Sequence, residues 1–318
     1  MTVDVKAGGD RLWSEAAADT LAELTGKVRK RAKAIHGDVD VEAVHDMRTA
    51  TRRLRTAITI YGEDADKDDR EAIEDELRRI TRRLGAVRDL DVLLETLEGA
   101  STARGGQLDP DDLDPLRRSW DDERATEAKR LTAELKRARF DDALAGAEQL
   151  GSTAEGGAGD GSGDGDQQLR VAHRAPTLIW ASFGEVLAYE IDPMTADPAA
   201  IHEMRIAAKK LRYTLEAFQD ALEPGATLID EVTALQDAGG EMHDAIVARD
   251  RARETTRGTL DLGKAEREAI EAFAEAQDRR AESCRAITAT HMTAVRSRVL
   301  RESLARALVG MGHVAPRS

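Results

Sequence analysis

Two segments 157 residues apart carry one cationic pattern: HDMRTATRRLR from His45 to Arg55 and HEMRIAAKKLR from His202 to Arg212. Each holds a histidine, an arginine, a basic pair, a leucine and a final arginine at identical spacing, in a chain of formal charge −14. At about 100° per residue on a helix, Arg48, Arg52 and Arg55 fall within about 80° of His45, with Arg53 at the flank. Met47, Ala50, Leu54, Ile58 and Tyr61 lie opposite. The second copy sets out His202, Arg205, Lys209 and Arg212, flanked by Lys210, over an apolar stripe of Met204, Ala207, Leu211, Leu215 and Phe218. Like charges at these spacings weaken a helix by a few tenths of a kcal/mol per pair. Such faces persist more readily against a counter-anion, so a polyanionic partner is expected. The plainer alternative is a solvated face neutralised by acidic side chains of neighbouring helices.

A second shared element follows. Aligning LGAVRDLDVLL at Gly85 with GGEMHDAIVA at Gly240 pairs Arg88 with His243 and Asp89 with Asp244, at an offset two residues from the first. Between Leu77 and Arg88 the chain carries Arg78, Arg79, Arg82, Arg83 and Arg88 with no acid, whereas the matching DEVTALQDAGGEMH is not basic. The cationic surface is therefore expected to be richer in the first half. Arginine suits phosphate because its planar fork donates paired hydrogen bonds and its charge does not titrate away. Tyr213 sits on the basic face where the first copy has Thr56, and its hydroxyl could bond an anion.

Other chemistries find less support. His45 and His202 lack the Cys cluster or HExxH pattern of a metal site, so no metal is expected. No nucleophile elbow or phosphate-cradling glycine loop appears. Among arginines, imidazole is more naturally a donor to an anion, although a histidine bonded to backbone or carboxylate is the bland reading. Asp89 and Asp244 read as ion-pair partners of facing helices rather than a catalytic pair. A metal-dependent phosphohydrolase would need carboxylates beside the cations, and Asp46 and Glu203 both point about 100° away from the histidines on the wheel. Single-stranded nucleic acid would want aromatic stacking platforms, which the basic faces lack apart from Tyr213; that partner is a weaker alternative.

These faces need helices to carry them. Helical segments are expected at 10–36, 41–62, 67–99 and 111–149, then at 167–190, 198–222, 226–257 and 263–310. The breaks fall at Gly37-Asp38, Gly62-Glu63, Asp109-Pro110, Asp192-Pro193, Pro224-Gly225 and Gly258. No segment alternates with period two. Residues 151 to 165 hold seven glycines and read, with residue 166, as a linker. The expectation is an all-α, duplicated architecture: one domain over 1–318 with four-helix halves at about 10–150 and 167–312.

Composition agrees. Hydrophobic residues are 41% of the 318 and aromatics only 3%, which favours helices over strands. The acidic, lysine-poor balance suits concentrated salt, and a GC-rich genome would produce it too. Cys284 is the lone cysteine, so no intrachain disulfide forms. No apolar run approaches the ~20 residues of a bilayer span, and MTVDVKAGGD does not read as a secretory signal. A cytoplasmic location is expected.

The doubled H-x-x-R-x-x-x-[KR]-[KR]-L-R pattern and the LGAVRDLDVLL segment resemble the CHAD family, helical domains named for their histidines, over roughly Asp10 to Leu308. The resemblance implies two pseudo-symmetric four-helix bundles around a basic central cavity that binds inorganic polyphosphate, in some members on polyphosphate granules; the residues themselves lead to the expectation of binding without catalysis or a cofactor. Carried onto this chain, the resemblance nominates His45, Arg48, Arg52, Arg53 and Arg55 with His202, Arg205, Lys209, Lys210 and Arg212. Arg82, Arg83 and Arg88 follow, and His243 joins them because it aligns with Arg88. Gly239 stands where the family usually has leucine before the glycine, which puts helix packing there in question.

Overall fold

The computed structural model describes residues 8–37, 39–63, 65–102, 108–156, 169–222, 226–258 and 261–311. Among them the chain is all-α, with ten helices: α1 Trp13–Gly37, α2 Val41–Tyr61, α3 Lys67–Thr102, α4 Asp114–Leu135, α5 Ala138–Gly156, α6 Val171–Leu187, α7 Pro198–Ala217, α8 Ala226–Arg257, α9 Lys264–Arg296 and α10 Arg298–Met311. Extended pairing among these residues is confined to one antiparallel bridge, Leu12 to Arg170. It ties the start of α1 to the start of α6 through Trp13 N–H to Leu169 O (2.8 Å) and Val171 N–H to Arg11 O (3.0 Å).

The two motif helices begin alike. Asp40 caps α2 by accepting from Ala43 N–H at 2.7 Å, and Asp197 caps α7 by accepting from Ala199 N–H at 2.8 Å with Pro198 at the first helical position. Each cap satisfies an amide that the helix leaves unbonded and is worth about 1 kcal/mol. The caps themselves stand 157 residues apart, so the histidines fall one turn inside each helix.

Two of the eight expected segments break where no glycine or proline announces it. The first separates α4 from α5 at Lys136–Arg137, and the second separates α9 from α10 at Ser297. The cause is a slip in the apolar stripe. Buried positions step by four from Leu131 to Leu135, then by five to Phe140; they step again by five from Val295 to Leu300. Five residues turn an α-helix about 140° past a full turn, so one straight helix could not keep both side chains in the core. Ser297 supplies the second restart, its Oγ accepting from Leu300 N–H at 3.1 Å.

Helix α5 also runs into the expected linker, through Gly151 to Gly156. Gly151 serves close packing rather than flexibility: a Cβ there would stand 2.8 Å from Ala18 Cα on α1. The remainder of that linker, residues 157–166, lies outside the described residues.

Helices α1, α2, α3 and α5 pack on one another, with α4 along α3. Helices α6, α7 and α8 pack in sequence, with α9 along α8 and α10 closing against α6, α8 and α9. The joins between the sets include α2 against α7, α3 against α8, and the short 3-10 turn Asp111–Leu113 against α9. The apolar interior does not divide at the linker. The larger cluster takes side chains from both sides, and a smaller one joins Leu90, Leu93 and Trp120 to Ala248, Phe273 and Ala274.

Beneath the motif helices, Trp13 meets Tyr61 at 4.7 Å and Phe218 at 6.2 Å between ring centroids, while Tyr61 and Phe218 stand 6.5 Å apart. Tyr61 and Phe218 end the two apolar stripes, so this trio clamps α2 to α7. Trp13→Ala should lower the unfolding free energy by about 3–5 kcal/mol in urea denaturation. A loss under about 1 kcal/mol would show that the clamp lies elsewhere.

Candidate functional site

The packing of α2 on α7 brings cations of both faces into one another's field, and the seam of the two helices, with α3 and α8 alongside, is the crevice they share. Arg48 and Arg52 arrive from α2, His202, Arg205, Lys209 and Arg212 from α7, and His243 from α8. His202 and His243 lie with ring centroids 4.5 Å apart. Both glycines of the second element sit under the arginines. A Cβ on Gly85 would lie 3.0 Å from Nη1 of Arg48, and the nearest contact of one on Gly240 is Nη1 of Arg205 at 3.9 Å. At Gly239 an added Cβ would touch the aliphatic stem of Arg205 at 3.5 Å, so the missing side chain there leaves that stem uncovered.

Acids do not cancel this charge. Asp89 approaches Arg48 only to 3.9 Å and is largely exposed. Asp244 lies in the field of Arg205, and burial holds its carboxyl above the usual range. Lys209 makes no salt bridge among the described residues, and burial followed by Arg205, Arg52, Arg48 and Arg212 pushes its ammonium down from 10.5 to about 7. Burial is the largest cause of the lowered pKa values of Arg52 and Arg205 as well, with Arg48 acting on both. It also leads in lowering His202 and His243; His243 and Arg205 then act on His202, and Arg205 on His243. Two buried nitrogens of the cluster lack any partner, His202 Nδ1 and Arg205 Nε, while Arg212 Nε makes no hydrogen bond and has only Glu216 Oε1 at 3.5 Å. Buried polar groups are normally bonded, so a site of orphaned nitrogens and mutually repelling cations is arranged for an acceptor-rich anion.

The remaining candidates fall elsewhere. Arg53 lies toward Glu216 at 3.9 Å, and Arg55 turns the other way, into the field of Arg78 and Glu74 on α3. The wheel accounts for Arg53, which flanks the face, but not for Arg55, which lies within it. Lys210 bonds Glu185 at 2.5 Å, Arg83 pairs with Glu127 at 3.4 Å, and Arg88 bonds Glu95 at 2.9 Å. Arg82 is exposed on a separate open groove along α3 and α5, and His45 is exposed on the first turns of α2. The expected surplus of site cations in the first half is not what the fold produces. Most α3 arginines meet carboxylates one helix turn away or on α4, and the cluster draws most heavily on α7, with Arg48 and Arg52 from α2 and His243 from α8.

Tyr213 was legible only in part. It is 6% exposed rather than presented to a ligand. Its hydroxyl accepts from Arg212 Nη2 at 3.0 Å, and the guanidiniums of Arg212 and Arg52 lie 4.8 and 5.2 Å from its ring centroid. Glu216, which draws Arg212 at 3.5 Å and Arg53 at 3.9 Å, carried no pattern that marked it. Among the described residues no group of three or more His, Cys, Asp or Glu is assembled for a metal ion, and no helix is long and apolar enough to cross a membrane.

An all-helical chain that gathers histidine, arginine and lysine between two like helices has counterparts among known proteins. The CHAD domain family model matches residues 19–253, and the chain belongs to that family. Its structure is similar to that of the CHAD domain from the plant Ricinus communis, with TM-score 0.68 and 21% identity over 98% of this chain and 95% of that one. It is also similar to PptA from Streptomyces chartreusis, with TM-score 0.65 and 16% identity over 87% and 98%. At such identities the likeness is one of fold. No curated protein matched the sequence.

The lowered Lys209 sets a pH dependence of stability. A lysine whose folded pKa is depressed binds fewer protons in the folded than in the unfolded state between the two values, so its contribution rises with pH there. Lys209→Met should therefore be more stable than the parent at pH 7, with the gap closing as pH climbs toward 10.5. Urea midpoints of both proteins across that range check it; a gap that does not vary with pH would contradict the burial of an unpaired ammonium.

Proposed function

We propose that the chain is a non-enzymatic receptor for inorganic polyphosphate, held along the crevice between α2 and α7. The observation that carries this reading is the gathering of Arg48, Arg52, Arg205 and Lys209, half-buried, with Lys209 in no salt bridge among the described residues and Asp89 no nearer to Arg48 than 3.9 Å, beside unpartnered nitrogens of His202 and Arg205. A linear anion with about one charge per phosphate would relieve the repulsion along the whole row. It would also fill the vacant nitrogen positions as a hydrogen-bond acceptor where those nitrogens carry protons. Family membership supports the reading, since the motifs that nominate these residues are those by which the chain resembles CHAD domains. A soluble cytoplasmic protein found on polyphosphate granules is the setting it implies.

The ligand then contacts Arg48, Arg52, His202, Arg205, Lys209, Arg212 and His243. Arg53, Arg55, Arg82, Arg83, Arg88, Lys210 and His45 serve the approach to the crevice or the fold. The net charge of −14 opposes a polyanion at long range, and salt confines that repulsion to about 10 Å at 0.1 M. Directional contacts therefore supply the affinity.

Isothermal titration should show affinity rising with chain length from orthophosphate through tripolyphosphate to long chains. A charged hydrogen bond is worth about 1.5–3 kcal/mol, so Arg52→Ala or Lys209→Ala should weaken long-chain binding about tenfold or more. Lys210→Ala and Arg88→Ala, whose parents already hold Glu185 and Glu95, should leave it within about threefold. Orthophosphate binding as tightly as long chains would end this reading. An oligonucleotide that displaces polyphosphate at equal concentration, or phosphate release with Mg²⁺ or Mn²⁺, would each replace it with another.

A further inference from the structure

The two motif helices are matched in sequence, yet their last arginines behave differently. Arg212 stays at the crevice, whereas Arg55 leaves it for α3. The neighbours explain the divergence. Next to Arg212 stands Tyr213, whose ring the guanidinium faces at 4.8 Å and whose hydroxyl it bonds at 3.0 Å; Glu216 one turn on draws the same group at 3.5 Å. The corresponding places after Arg55 are Thr56 and Thr59, which offer neither a ring nor a charge. Tyr213 also reaches across the helix interface, its ring lying 5.2 Å from the guanidinium of Arg52 on α2. Guanidiniums favour the electron-rich face of an aromatic ring, so one side chain holds two like charges from two helices at a set separation.

We propose that Tyr213 is the positioning and specificity-determining residue of the anion crevice. Its ring fixes the gap between Arg52 and Arg212, and that gap selects an extended phosphate chain over a single phosphate. The inference deepens the polyphosphate reading and rests on it for the identity of the ligand. The ring is the active part. The hydroxyl is engaged by Arg212, the side chain is almost wholly covered, and what it shows lines a small separate cavity with Thr56, Ala57 and Ile229. A single anion can sit on one guanidinium wherever it points. A chain spanning both helices needs the two guanidiniums held at matching spacing before it arrives, because ordering them on binding would cost side-chain entropy.

The test uses Tyr213→Phe, which keeps the ring, and Tyr213→Leu, which removes it. Affinities for tripolyphosphate and for long polyphosphate are measured beside the side-chain proton resonances of Arg52 and Arg212 in the unliganded protein. Tyr213→Leu should lose about tenfold for long chains, the worth of one charge-assisted contact, and stay within about twofold for tripolyphosphate. Tyr213→Phe should keep the parent's preference. The arginine resonances should be ring-current shifted in the parent and in Tyr213→Phe, and unshifted in Tyr213→Leu. Equal length preference in a folded Tyr213→Leu protein would overturn the proposal. So would a Phe variant as weak as the Leu variant, which would make the hydroxyl a ligand contact. Should the parent bind no polyphosphate, the function falls on its own account, and unshifted arginine resonances in the parent would then sink the inference independently.

Discussion

Arg48, Arg52, Arg205, Lys209 and Arg212 repel one another across the contact of two helices, and the fold must hold that contact closed before any ligand arrives. Apolar packing underneath supplies the restraint. The stripes of α2 and α7 end in Tyr61 and Phe218, which meet on Trp13, and the short pairing of Leu12 with Arg170 fixes Trp13 in place. Because the restraint lies below the charges and not among them, the cations stay half-buried although only Arg48 and Arg212 of the five have a salt-bridge partner among the described residues, at 3.9 and 3.5 Å. Gly85 leaves the space in which Arg48 lies, since a Cβ there would stand 3.0 Å from its Nη1.

The rest of the molecule treats arginine differently, and the contrast gives the crevice its meaning. Arg124 bonds Asp91, whose side chain is fully buried, at 2.5 Å, and Arg249 meets Asp278 at 2.8 Å. Arg79 lies among Glu76 and Glu134. With 61 acids to draw on, the chain compensates these cations almost as a rule. That it leaves Lys209 without such a partner is a feature of the place, not of the composition. An unpaired buried charge costs stability, and a bound anion is what would recover it.

Much of this was legible in one dimension. The 157-residue repeat located both motif helices and their apolar stripes, because helical periodicity is a local property that spacing reports directly. The glycine alignment likewise placed Gly85 and Gly240, which came to lie under Arg48 and Arg205. The breaks after Leu135 and Val295 went unseen because they follow from a slipped apolar register and not from glycine or proline. The reach of α5 to Gly156 went unseen because glycine-rich sequence also suits close helix packing, as Gly151 does against Ala18.

By itself the sequence determined that the chain is helical, that two of its helices carry a basic face over an apolar one, and that their cationic positions correspond one for one. Only the tertiary structure decided which cations share a crevice, since that depends on how helices distant in sequence cross. It sent Arg83, Arg88 and Lys210 to nearby carboxylates, sent Arg55 away from its counterpart Arg212, and folded Tyr213 inward between guanidiniums. Such choices turn on interatomic distances of a few ångströms across helix contacts, and a helical wheel drawn for one helix contains no information about them.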